Sequence, residues 1–184
     1  IISLSGLLAV LFVAVGLTAQ TSSRELGLEN YLYLELKSGR VIIEMRPDLA
    51  PNHVKRIKKL TRDGFYNDTP IHRVIEGFMA QMGDPTGTGR GGSELSDLKA
   101  EFSKEPHVRG TVSMARSPDP DSANSQFFIV FGDASFLDGQ YTVWGRVSEG
   151  MEFVDQIKRG VPPDGIVDDP DRVISVSVAA DVEG

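Results

Sequence analysis

Apolar and polar positions alternate with a period of two along much of the chain, the pattern of strands that bury one face. Residues 31–36 and 40–45 alternate in this way and flank Ser38-Gly39, so the domain is expected to open with a hairpin. Residues 72–75 and 78–82 form a second pair of apolar runs around Glu76-Gly77; they are too short and glycine-broken for a helix, and predict another hairpin. Further strands are predicted over 111–114, 126–131, 141–147 and 173–179. The period lengthens in two places. Residues 51–63 carry Val54, Ile57 and Leu60 with basic residues between them, opened by Pro51 and closed by Gly64, and residues 149–159 carry Met151, Val154 and Ile157 before Gly160. Both read as amphipathic helices.

Irregular stretches separate these elements: a long glycine-rich region at 83–106, a loop at 115–125 with Pro118 and Pro120, and a Pro/Asp-rich loop at 162–171. About eight strands with two helices, one near each end, predict a mainly β fold. The expected form is a closed eight-stranded antiparallel β-barrel capped by the two helices, since closure removes sheet edges. No repeat or internal linker divides residues 31–184, which read as one domain.

Residues 1–19 fit neither period. They form an apolar stretch diluted by Ser3, Ser5, Gly6, Gly16 and Thr18 that gives way to polar TSSRE, and read as a targeting segment outside the fold. Residues 1–20 are thus expected to be a signal peptide, cleaved near Ala19 or Gln20, with 21–30 as a short linker. Left uncut, the run approaches the roughly 20 apolar residues of a membrane span and would anchor the domain. Membrane contact is expected only in that case.

Composition narrows the chemistry. The chain has 184 residues, 40% hydrophobic and 24% charged, with a formal net charge of −7. That balance argues against nucleic acid as a partner, because phosphate binding needs clustered Lys and Arg. With no cysteine there is no thiol nucleophile or disulfide, and His53, His72 and His107 lack ligand spacing, so no metal or cofactor is expected. Residues 87–92 formally satisfy GxGxxG, but Pro85 precedes them and no helix is predicted after them, so the pattern carries no nucleotide site. Asn67-Asp68-Thr69 satisfies the N-glycosylation sequon, which has meaning only in a eukaryotic secretory pathway.

Residues 71–93 hold the chemistry of interest. Arg73 lies inside a predicted strand, where a guanidinium is costly to bury, so it must reach water or line a cleft; Gln81 on the neighbouring strand could supply an acceptor. In this stretch stand His72-Arg73-Val74-Ile75, Gly77-Phe78-Met79, Gln81 and GDPTGTGRGGS. Gly110-Thr111-Val112-Ser113-Met114-Ala115, Ser125-Gln126-Phe127-Phe128-Ile129 and Phe136-Leu137-Asp138-Gly139 follow in order. Together the four motifs resemble the cyclophilin-type peptidyl-prolyl cis/trans isomerases, in particular bacterial exported members, from about Tyr31 to the C-terminus.

The resemblance implies a cyclophilin-like barrel whose active face lies on its outside. It implies a monomer that is exported, periplasmic, and acts on proline-containing peptides and unfolded protein segments. By the same resemblance Arg73 is the catalytic arginine and Gln81 orients it. Phe78, Met79, Phe128 and Leu137 match the proline pocket, Ala115 and Gln126 the peptide groove, and Phe136 and Tyr141 the pocket rim. Phe136 stands where many members have tryptophan, which removes an indole N–H and implies weak binding of cyclosporin-type macrocycles. Tyr141 replaces a common histidine, and Arg116 a small polar residue. Two other readings stand beside this one: a proline-peptide binding module or holdase without turnover, and a hydrolase using Ser113, His72 and Asp84. An intact Arg73 and Gln81 favour the isomerase over the first, and the absence of a nucleophile-elbow pattern disfavours the second.

Overall fold

The structure, a computed structural model, describes residues 27–183, so the expected leader lies outside the described residues. Strands β1 (Tyr31–Leu36) and β2 (Gly39–Met45) pair antiparallel as the opening hairpin, from Tyr31 against Glu44 to Leu36 against Gly39. Helix α1 (Pro51–Arg62) follows, with proline in its first turn and Val54, Ile57 and Leu60 buried, as the spacing predicts. Strands β3 (Arg73–Ile75) and β4 (Met79–Met82) form the second hairpin. Phe78, expected in the strand, instead sits in its turn, its N–H donating to the Ile75 carbonyl. Strands β5 (Thr111–Met114), β6 (Phe127–Val130), β7 (Val143–Glu149) and β8 (Ser175–Val178) complete the set.

Among the described residues these strands form one sheet in the order β3-β4-β6-β5-β7-β2-β1-β8. The expected closed barrel is therefore corrected to a curled half-barrel: β3 and β8 are the two ends and share no ladder. β3 is only three residues long and cannot reach along β8. The flanking segments meet instead, through the Pro70–Arg172 bridge, with Ile71 N donating to Asp171 O at 2.8 Å and Val173 N to Thr69 O at 2.9 Å. The exposed strand edges that closure would have removed are thus partly covered by irregular backbone.

The helical capping also differs from expectation. The predicted helix over 149–159 shrinks to the single turn α2 (Met151–Val154); it starts late because β7 runs on through Glu149 and Gly150, at φ +88°, turns the chain between them. After α2 the bonding tightens to three-residue turns, and Gly160 N reaches back to Val74 O on β3. Val154 and Ile157 are still buried, so the apolar face serves without a long helix. Residues 179–183, expected in part as strand, form helix α3 (Ala179–Glu183), in keeping with the helix propensity of its paired alanines.

One main core fills the curl of the sheet. It takes Leu32, Leu34 and Leu36 from β1, Val41, Ile43 and Met45 from β2, and Trp144 from β7, all buried. Every second residue of these strands points inward, which leaves the outer face of the sheet for other uses.

Candidate active site

The alternation along β4 and β6 builds two different surfaces. Ala80, Met82, Phe127 and Ile129 point into the main core. Met79, Phe128 and Val130 point the other way and form a second apolar cluster with Ala134 and Leu137, the latter from a 3-10 turn at Ser135–Leu137. Phe78, Ala115 and Tyr141 pack against this cluster. Phe136 is 63% exposed and stacks at a tilt on Phe78, with ring centroids 5.2 Å apart.

Above this cluster lies a cavity of about 410 Å³. Phe78, Met79, Ala115, Phe128, Phe136, Leu137 and Tyr141 line it, and Arg73 and Gln81 stand on its polar side. Gln126 lines the adjoining larger cavity of about 560 Å³, which shares Gln81, Gly89, Ala115 and Arg116 with the first. The residues singled out from the sequence thus converge on one groove on the outer face, although they come from segments up to 68 positions apart, Arg73 to Tyr141.

Strand register sets the polar side. Arg73 pairs with Gln81 across the β3–β4 ladder, and Gln81 pairs with Phe128 across β4–β6, so guanidinium, amide and pocket floor share one face. Arg73 Nη1 donates to Gln81 Oε1 at 3.2 Å, Gln81 Nε2 donates to Gln126 Oε1 at 2.8 Å, and Gln126 Nε2 donates to the Gly91 carbonyl at 2.8 Å. Arg73 Nε donates to the Asp164 carbonyl at 2.9 Å. A guanidinium has five N–H donors. Those on Nη2 meet no acceptor among the described residues.

The loop carrying Asp164 is a site element that the sequence reading missed. Arg73 bridges Ile166, Val74 N donates to Gly165 O at 2.7 Å, and Ile166 joins the cavity wall. Gly165 has φ +74°, and a Cβ there would lie 2.4 Å from Ile75 Cγ1 and 3.0 Å from Val74 O. Only glycine lets this loop lie so close against β3. The Pro162-Pro163-Asp164-Gly165 run does signal a turn, but nothing local indicates that the turn meets an arginine 91 residues away.

The glycine-rich run serves its own aspartate. Asp84 is fully buried, and its carboxylate accepts from the N–H groups of Thr86, Gly89 and Gly91 and from the Thr86 hydroxyl. Burial opposes its charge, but these donors outweigh the penalty and hold the carboxyl below the usual carboxylate range. The run therefore wraps an internal anion and shapes the groove wall at Gly89. Burial in turn lowers the pKa of His72, against the opposing pull of Asp84.

Ser113 does not meet His72 and Asp84. Its Oγ lies 3.1 Å from His107 Nε2 and donates to the Thr142 carbonyl at 2.9 Å, while His107 Nδ1 lies 2.9 Å from Asp138 Oδ1. This Ser-His-Asp chain was not anticipated. Ser113 and His107 are both fully buried behind Phe128, whose ring stacks on the imidazole at 6.3 Å, so no substrate carbonyl can reach the hydroxyl. The chain braces the pocket floor and offers nothing to a hydrolase.

Comparison with known proteins gives the family. The profile of the family "Cyclophilin type peptidyl-prolyl cis-trans isomerase/CLD" matches residues 31–178. A probable peptidyl-prolyl cis-trans isomerase of Brucella suis is 51% identical, over 97% of this chain and 97% of its own. A peptidyl-prolyl cis-trans isomerase of Helicobacter pylori is 38% identical, over 83% of this chain and 96% of its own. Among solved structures, a cyclophilin from Hirschia baltica superposes with a TM-score of 0.74 at 31% identity, covering 84% of this chain and 75% of that one. A cyclophilin-type isomerase of Cryptosporidium parvum, crystallised in the presence of the dipeptide Ala-Pro, gives 0.75 at 27% identity, covering 80% and 98%. With motifs, fold and relatives in agreement, the chain belongs to the cyclophilin-type peptidyl-prolyl cis-trans isomerases, enzymes that interconvert the two forms of X-Pro bonds.

Proposed function

We propose that the groove accelerates X-Pro rotation by binding the twisted imide, with Arg73 as the catalytic donor beside an apolar proline pocket, and that its substrates are exported or folding proteins. Rotation about an X-Pro bond breaks amide resonance and faces a barrier of about 18–20 kcal/mol. Exchange therefore takes tens of seconds or longer unaided. Bringing it to milliseconds takes roughly 10⁴- to 10⁵-fold acceleration, or about 5.5–7 kcal/mol of preferential transition-state binding. No nucleophile or proton transfer is required.

Two kinds of contact divide that requirement. Met79, Phe128 and Leu137 hold the prolyl ring while the rest of the peptide turns, which fixes the substrate but favours planar and twisted forms alike. Selection falls to Arg73. In the rotated amide the prolyl nitrogen regains a lone pair, and a guanidinium can donate to it. Such a charge-assisted bond contributes about 1.5–3 kcal/mol, more where donors are preorganised, and the remainder comes from holding the peptide bent. The observation that carries this reading is the guanidinium itself: it stands at the pocket, pinned by Gln81 and the Asp164 carbonyl, with Nη2 uncommitted.

Cis/trans exchange of an X-Pro peptide, followed by NMR with wild type and Arg73→Ala, tests the assignment. Turnover lowered about 10- to 100-fold with retained peptide binding is expected; equal rates would refute the role. The apolar stretch at 1–19 supports export to the periplasm, or attachment facing it if the leader stays. N-terminal sequencing of protein recovered from the periplasmic fraction should find a chain starting near Gln20 or Thr21, and recovery only from the cytoplasm would refute export.

A further inference from the structure

The groove carries a charge pattern opposite to that of the chain around it. Against a net charge of −7, the only carboxylate lining either cavity among the described residues is Asp97, whose Oδ1 accepts from Asn124 Nδ2 at 2.9 Å. Three arginines line the same surface: Arg73 the smaller cavity, Arg90 the larger, and Arg116 both. Elsewhere among the described residues Arg40, Arg46, Arg62, Arg109, Arg159 and Arg172 each pair with a carboxylate, while Arg56 donates only to the Ser96 and Asn124 carbonyls and Arg146 makes no ion pair. The three groove arginines likewise have no carboxylate partner, and they are gathered on one surface.

Arg116 is held by neutral groups alone. Its Nε and Nη2 donate to the Gln140 carbonyl at 3.0 and 2.8 Å, and its Nη1 donates to the carbonyls of Ser117 and Pro118 at 2.9 and 3.3 Å. Its guanidinium carbon lies 4.4 Å from the centroid of the Tyr141 ring. Carbonyls and an aromatic face fix the group in place without neutralising its charge, and one N–H of Nη2 stays unbonded. Arg116 is thereby preorganised at the junction where a peptide leaving the proline pocket enters the larger cavity. Arg90 stands farther along, exposed, with no side-chain partner among the described residues.

We propose that this groove selects X-Pro segments bearing an acidic side chain close to the proline, with Arg116 as the specificity-determining residue and Arg90 extending the same field; the inference rests on the isomerase reading above. The shared lining makes the cavities contiguous, and an extended chain advances about 3.3–3.6 Å per residue, so the acidic side chain belongs within two or three positions of the proline. Fixed cations with an open donor favour a carboxylate there and disfavour an ammonium.

The test is a set of X-Pro peptides with Glu, Ala or Lys at each of the positions flanking the bond, assayed for kcat/KM at low salt and again near 1 M, where the Debye length shrinks to about 3 Å. At one position Glu should exceed Lys by about fivefold, a ratio that high salt reduces towards one. Because the readout is a ratio, it survives any general loss of activity in a variant. Arg116→Asn should collapse it, Arg90→Ala should lower it in part, and Arg116→Lys should keep most of it, which separates charge from lost packing on Tyr141. A ratio near one at every position, or one that persists in the Arg116→Asn, Arg90→Ala double variant, overturns the proposal. No turnover of any peptide would strike down the isomerase reading itself, and the inference with it.

Discussion

Phe127 and Phe128 are adjacent in sequence and almost equally buried, at 3% and 4% exposure, yet they serve opposite faces of the molecule. Phe127 packs edge-on against Tyr66 at 5.6 Å and Trp144 at 5.4 Å, in a core closed on all sides. Phe128 lies between the His107 ring at 6.3 Å and Tyr141 at 5.9 Å, and its open side is the floor of the groove. Burial alone therefore does not separate core from site. The difference lies in what surrounds each ring: Phe127 sits within the main core, whereas the apolar neighbours of Phe128 end at a rim of Gln81, Arg73 and Arg116.

Paired substitutions should sharpen that contrast. Phe127→Ala removes a fully enclosed aromatic and is expected to cost about 3–5 kcal/mol of stability, read from urea unfolding. Phe128→Ala should cost less stability, because its site already opens to solvent on one side, and should raise KM about tenfold with a smaller change in kcat. That is the signature of contact made equally in ground and transition states. Arg73→Ala should do the reverse, lowering kcat about 10- to 100-fold at nearly unchanged stability, as loss of a charge-assisted bond made only to the twisted form requires. If Phe128→Ala proved as destabilising as Phe127→Ala and left KM alone, the outer cluster would be ordinary core and the contrast would fail.

Much of this arrangement is legible in sequence because it follows from period-two alternation. Once residues 78–82 and 126–131 are read as strands, Met79 and Phe128 must face away from Ala80 and Phe127, and Arg73 can share a face with Gln81. What escapes is whatever depends on contacts between distant segments. The open sheet is one case, since β3 and β8 stand at opposite ends of the strand order and meet only through their flanking segments. The Asp164 carbonyl on Arg73 is another, because backbone acceptors leave no residue-type signal. The late start of α2 has a local cause, Gly150 at positive φ, but a glycine at that point reads equally well as the start of the longer helix. Ser113 shows the same limit from the other side: its partner is His107, six positions away, and neither spacing nor motif distinguishes that histidine from His72.

Stability and turnover should also part with pH, and this is the smallest effect expected. The proposed mechanism transfers no proton, so kcat/KM should be flat between about pH 6 and 9. Stability should not be. Burial lowers the pKa of His72 below its ordinary 6.5, with Asp84 opposing and Arg73 assisting. Burial likewise lowers that of His53, against Glu101. Below about pH 6.5 the unfolded chain takes up protons that these folded imidazoles refuse, so the unfolded state binds more protons and stability falls as pH falls. Each histidine contributes at most about 1.4 kcal/mol per pH unit, and only until the pH reaches its lowered folded value. Thermal melts from pH 7.5 to 5 should show Tm constant at first and declining below about 6.5, while turnover measured well under Tm stays level. His72 also lines the smaller cavity beside Arg73, so a bell-shaped turnover profile centred in that window would mean that this histidine joins the chemistry, and turnover indifferent to pH would not hold.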